Sequence, residues 1–104
     1  MPKEIQIDGA KFRVSNVRRL GTGKAWADVE KYYPQIDKWF SVQHLDCIRK
    51  VAEIAIAEGI VPMIRARVHE IQWGNSVMPY VRYFESQAAI EAFQAETGYR
   101  IEVL

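Results

Sequence analysis

Apolar and polar side chains alternate most regularly in the second half of the chain, where Ile64, Ala66 and Val68 are interleaved with Arg65, Arg67 and His69. A period of two is the mark of a strand with one face buried. A long strand over residues 62–73 is therefore expected, turning at Gly74-Asn75 and returning over residues 76–84. Paired residue against residue about that turn, the hairpin sets Arg65, Arg67, His69, Trp73, Met78, Tyr80 and Arg82 on one face. Ile64, Ala66, Val68, Val77, Val81 and Tyr83 fall on the other. One side reads as core, and the other as a basic and aromatic surface suited to something anionic or flat.

The period changes to that of a helix over residues 42–58. Leu45, Ile48, Val51, Ala52 and Ala55 form an inward stripe and Asp46, Arg49, Lys50 and Glu53 a solvent face, with Ser41 as the expected cap and Gly59 as the stop. Ser86 predicts the cap of another helix, with Ala89, Ile90 and Phe93 inward and Gly98 closing it before a last strand from Tyr99 to Leu104. Near the start, residues 4–8 and 11–20 read as two strands about Asp8-Gly9, a dipeptide that supplies the positive dihedrals of a tight hairpin. Thr22 is placed to cap a short helix over residues 24–33, halted by Pro34. A further short turn is expected over residues 35–40.

Without the leading strand and the aromatic helix, the order is strand, helix, strand, strand, helix, strand. That order predicts an α+β fold of the ferredoxin-like, split βαβ kind: an antiparallel sheet with an extra N-terminal strand and an inserted short aromatic helix. With 104 residues the chain reads as a single domain, 1–104.

Composition narrows the class without naming a function. Hydrophobic residues make up 49% and charged residues 26%, which excludes a disordered, collagenous or coiled-coil chain. The start shows no basic segment followed by an apolar run, no stretch approaches membrane-helix length, and Cys47 is the single cysteine, so a cytoplasmic setting is expected. Charge is uneven along the chain. Residues 1–24 hold Lys3, Lys11, Arg13, Arg18, Arg19 and Lys24 against Glu4 and Asp8, a balance of +4 that leaves −3 for the remainder. Such asymmetry fits a polyanion footprint, and equally a basic strand balanced by acidic helices.

Two short stretches resemble known families. Phe12-Arg13-Val14-Ser15-Asn16-Val17 is similar to the first-strand motif of RNA-recognition-motif domains, and Tyr80-Val81-Arg82-Tyr83 to the tail of their third-strand motif. The resemblance implies that Arg13 and Tyr80 occupy base-stacking positions, with Met78 beside Tyr80, although Arg13 is not aromatic. The stretch from Val81 through Ser86 to Phe93 is similar to part of the dimeric α+β barrel proteins, which include small monooxygenases. That resemblance implies a homodimer with a ligand or catalytic cavity between facing sheets. The face carrying Arg65, Arg67 and Arg82 is costly to bury in such an interface.

Catalytic and metal chemistry find little support in the residue pattern. His44 and Cys47 stand three apart at the start of the main helix, but no oxyanion-hole motif accompanies them and Cys47 falls on the apolar side. His69-Glu70-Ile71-Gln72 lacks the second histidine of a zinc helix, and Gly21-Thr22-Gly23-Lys24-Ala25 lacks the spacing of a phosphate loop. No cofactor, metal or catalytic residue is implied. The expected function is binding of nucleic acid or an acidic protein surface through Arg13, Arg65, Arg67, Trp73, Tyr80 and Arg82. The alternatives are the dimeric barrel and an interaction adaptor or inhibitor that uses the aromatic segment 26–40, with Trp26, Tyr32, Tyr33, Trp39 and Phe40. Clustered aromatics also serve simply to attach a helix to a core.

Overall fold

The structure is a computed structural model that describes residues 2–104, the side chain of Ser76 excepted. It is α+β, with two helices, a four-stranded and a three-stranded antiparallel sheet, and a two-stranded ribbon; neither sheet closes into a barrel. The chain divides into two compact units, one ending at Pro62 and the other Met63–Leu104. Among the described residues no helix is long and apolar enough to cross a membrane.

The first unit is a meander of β1 (Lys3–Ile7), β2 (Ala10–Arg19), β3 (Ala25–Tyr33) and β4 (Lys38–Ser41), paired in sequence order, followed by helix α1 (Leu45–Ala57). Asp8 and Gly9, with φ of 51° and 80°, make the expected two-residue turn between β1 and β2. Residues 24–33 correct the sequence reading, since they form strand β3 and not a helix. The cause is a period of two that the aromatics obscure. Ala25, Ala27 and Val29 are buried and alternate with Trp26, Asp28 and Glu30, so a strand buries all three apolar groups on one side. A bulge between Ser15 and Arg18, with Asn16 at φ 53°, lets both Val14 and Val17 of β2 join them.

Helix α1 covers this side of the sheet through Ile48, Val51, Ala52 and Ala55. Alanines on both helix and sheet permit close approach, at the cost of area buried per residue. The expected cap shifts by three residues. Ser41 is spent as the last residue of β4, opposite Glu30, and His44 caps the helix instead, its Nδ1 accepting the Cys47 N–H at 3.4 Å. Leu45, expected inward, is exposed in the first turn.

The aromatic segment 26–40 thus builds the β3–β4 hairpin. Tyr32 faces Trp39 across the ladder with ring centroids 5.2 Å apart, and Tyr33 meets Phe40 edge-on at 5.5 Å. Tyr32 Oη donates to Asp37 Oδ1, and Asp37 takes the left-handed turn position at φ 50°.

The second unit contains β5 (Ile64–His69), β6 (Ile71–Gln72), β7 (Asn75–Ser76), β8 (Tyr80–Phe84), α2 (Gln87–Thr97) and β9 (Arg100–Val103). Its sheet has the order β8-β5-β9, with β6 and β7 forming a separate ribbon between β5 and β8. Helix α2 begins where the sequence predicts: Ser86 Oγ accepts the Ala89 N–H at 3.2 Å, and Gly98 closes the helix at φ 73°. Ala66, Val68, Phe84 and Ile90 form the buried core, flanked by Ile64, Ala89, Phe93, Tyr99 and Ile101. The single split βαβ sheet expected from the element order is not what the strands form. The last strand pairs with β5, the first strand of the hairpin, and α1 and α2 pack against different sheets.

The register of β5 against β8 also corrects the sequence reading. Arg65 lies opposite Tyr83 and Arg67 opposite Val81, while Ala66 lies opposite Arg82 and Val68 opposite Tyr80. Directly opposed residues share a face, so Tyr80 and Arg82 lie on the α2 side, away from Arg65 and Arg67. Phe84 decides the matter. It is 4% exposed, lies opposite Ile64 and meets Phe93 at 5.5 Å; burying it carries Arg82 and Tyr80 to the same side by the pleat. Arg82 tolerates this because its guanidinium emerges over the rings of Phe84 at 5.0 Å and Phe93 at 4.5 Å.

Val68→Ala, which empties a fully buried position beneath α2, is expected to cost about 2 kcal/mol, whereas Val81→Ala on the opposite face should stay within about 0.5 kcal/mol. Urea unfolding of both variants checks the register. Equal losses would restore the alternative in which Val68 and Val81 face the same way.

The Tyr32 contact carries a pH signature. The hydrogen bond to Asp37, then partial desolvation and the carboxylate's charge, hold the Tyr32 hydroxyl above its ordinary value of 10.0. Its contribution is therefore complete below that value and is lost as pH rises through the raised one. In thermal melts, the gap in Tm between the wild type and Tyr32→Phe should be full at neutral pH and should close in the alkaline range. A gap that is constant with pH would place the stabilisation elsewhere.

Candidate functional site

The two units present different electrostatics on the faces turned away from their helices. In the first, Arg13 lies between Glu4 of β1 and Glu30 of β3, and its Nε donates to Glu30 Oε1 at 2.9 Å. Its guanidinium also stacks 4.5 Å from the Trp39 ring centroid, while Lys11 Nζ lies 5.2 Å from that of Tyr32. Asp28 accepts from Asn16 Nδ2 at 2.6 Å beside this row. Cations, carboxylates and rings here answer one another within the unit. Arg13 therefore does not stand as a bare stacking or phosphate-binding position.

The second unit differs because its central strand places three basic side chains in line. Arg65, Arg67 and His69 share the face opposite α2, about 6.6 Å from one to the next by the rise of a strand. Pairing adds Val81 and Tyr83 from β8 and Arg100 and Glu102 from β9. Arg67 Nη1 meets Glu102 Oε1 at 2.7 Å, and Arg100 Nη2 lies 3.3 Å from His69 Nε2. The Arg65 guanidinium has no ion-pair partner among the described residues. Among the paired residues of this face, three guanidinium groups thus stand with a single carboxylate. The Arg67–Glu102 pair is about half exposed on each side, so solvent weakens it and a stronger anion can displace Glu102.

The residues expected to act together are therefore divided. Arg65 and Arg67 are brought together; Tyr80 and Arg82 lie on the α2 side of the same sheet; Arg13 belongs to the other unit. Trp73 stands apart at the tip of the β6–β7 ribbon, 97% exposed. Sequence reasoning missed Tyr83 and Arg100. The signal for both was present: Tyr99, Ile101 and Val103 alternate with Arg100 and Glu102, and inward Phe84 turns Tyr83 outward by one step of the pleat.

Other candidate chemistry has a structural account. The His44 imidazole caps α1, which leaves its ring nitrogen engaged with the helix and not with the Cys47 thiol. Among the described residues no group of three His, Cys, Asp or Glu side chains is placed to hold a metal ion. The Tyr99 hydroxyl is held above its ordinary range by partial desolvation, then by the Glu70 side chain.

No family model matches the chain, and no curated protein or solved structure matches it.

Proposed function

We propose that the chain is a binding protein, without catalytic chemistry of its own, that holds a nucleic-acid strand by its phosphates across β8-β5-β9. Arg65, Arg67 and Arg100 are the phosphate ligands in this reading. The observation that carries it is the in-register line of Arg65, Arg67 and His69 with Arg100 alongside, opposed by one exposed carboxylate. Guanidinium groups suit phosphate because their planar donor forks match its oxygens, and a row on one strand repeats at a spacing an extended polyanion can follow. Tyr83, opposite Arg65, adds a ring to the same face. Glu102 acts as a placeholder that keeps Arg67 ordered until phosphate replaces it.

Affinity should fall as salt rises, because each phosphate neutralised releases condensed counterions and contributes about 0.7 to the logarithmic slope on a single strand. Arg65→Ala and Arg67→Ala are each expected to weaken oligonucleotide binding and to reduce that slope by about one contact, while Arg82→Ala on the α2 face leaves both unchanged. Fluorescence anisotropy across a salt series reads both quantities. Binding indifferent to salt, or as sensitive to Arg82 as to Arg65, would overturn the assignment; equal binding to polyglutamate of matched charge would point to an acidic protein partner instead.

A further inference from the structure

We propose that Trp73 stacks on an unpaired base of the bound strand, which makes the ligand of this chain single-stranded. The inference rests on the phosphate-binding reading of the Arg65, Arg67 and Arg100 face and adds to it a second contact of a different chemical kind. Gln72 pairs with Asn75 across the ribbon, so Trp73 and Gly74 are the two central residues of a tight turn. Their φ values are 55° and 76°, both left-handed, which is the form such turns take to match the twist of the strands. Asn, Asp or Gly occupies the first of these positions at little cost. A tryptophan there is strained, because its Cβ crowds the backbone in the left-handed region.

The strain brings no packing in return. Trp73 is 97% exposed; Ile71 on the same ribbon is 52% exposed, and Met78, between the ribbon and β8, is 88% exposed. The side chain with the most apolar surface to hide is thus held at the point least able to hide it, by a backbone that would prefer another residue.

The charge distribution identifies the occupant. Glu70 is the one charged residue of segment 70–79, so the ribbon offers no cation to a phosphate. The cations lie at its root, where His69 ends β5 beside Arg100. Trp73 stands four positions beyond His69, at most about 13 Å of fully extended chain. A ligand continuous with the basic face must therefore be anionic at the root and flat and uncharged at the tip. A nucleic-acid strand with an unstacked base meets both demands, whereas a duplex keeps its bases paired and closed to the indole.

The test is anisotropy with labelled oligothymidylate, the same backbone made of abasic sites, and duplex DNA, using the wild type, Trp73→Asn, Trp73→Phe and Arg65→Ala. Trp73→Asn is expected to raise Tm, since asparagine suits the left-handed turn, while weakening oligothymidylate binding by about 5- to 150-fold, the loss of one base–aromatic stack. The salt slope should not change, Trp73→Phe should recover part of the affinity, and the abasic strand and the duplex should bind the wild type about as weakly as oligothymidylate binds Trp73→Asn. Wild-type affinity in a folded Trp73→Asn, or equal affinity for the abasic strand, would overturn this inference while leaving the phosphate reading intact if Arg65→Ala still flattens the salt dependence. Absence of salt-dependent binding in every form would overturn both.

Discussion

The second unit depends on where Phe84 goes. A strand that leads into a capped helix must deliver its last residue to the core, because the helix begins only three residues later and covers that side of the sheet. With Phe84 packed against Phe93 and 4% exposed, the pleat assigns every other position on β8, and pairing with β5 carries the assignment to Arg65 and Arg67. Fully burying a phenylalanine is worth about 1.5–3 kcal/mol, and a slip of β8 by one residue would exchange it for Tyr83 on the core side. The basic face is thus a consequence of one aromatic anchor on the opposite side. The same anchor accounts for Arg82, whose charge is turned toward the helix and comes to rest over two aromatic rings.

Much of the chain was legible where local signals agreed. Asp8-Gly9, Ser86 and Gly98 each mark a boundary by backbone chemistry that acts within a few residues, and the structure places turn, cap and stop there. The stripe of Ile48, Val51, Ala52 and Ala55 likewise gave α1 its inward face. Reading failed where a boundary depends on partners distant in sequence. Residues 25–33 carry alanines, which suit a helix, and large aromatics, which suit either state; only pairing with β2 and β4 makes the alternation of Ala25, Ala27 and Val29 decisive. Arg65 and Arg67 were found because β5 alternates cleanly by itself. Tyr80 and Arg82 were placed with them because an unbroken hairpin ladder was expected; the ribbon pairs Ile71 with Ser76 while β5 pairs Val68 with Tyr80, so residues 77–79 oppose only 69 and 70, and that one extra residue inverts a whole face.

The first unit shows why the excess of positive charge near the start of the chain is a poor guide to a site. Arg13 is answered by Glu30 and Trp39, Lys11 by Tyr32, and Arg19 Nη1 lies 3.3 Å from Glu53 Oε1 on α1. These charges help to brace the meander, two of them against its own aromatic rings. Cation–ring contacts of this kind are each worth about 0.5–1 kcal/mol at exposed positions. The second unit has fewer such internal contacts on the face opposite α2. Its arginines need only one carboxylate for company.

Geometry of this kind separates structural from functional charge by asking what each group would lose if it were made neutral. Arg13 would lose an ion pair to β3 and a ring contact on β4, so its charge serves folding first. Arg65 would lose nothing visible within the unit, and Arg67 only a half-exposed pair. Trp73 sharpens the same criterion, since replacing it would relieve a left-handed strain and uncover nothing. Groups that a fold holds in place without gaining from them are the ones whose energetic return has to come from outside the chain, and in this protein they share one unit, at the root and the tip of a single hairpin.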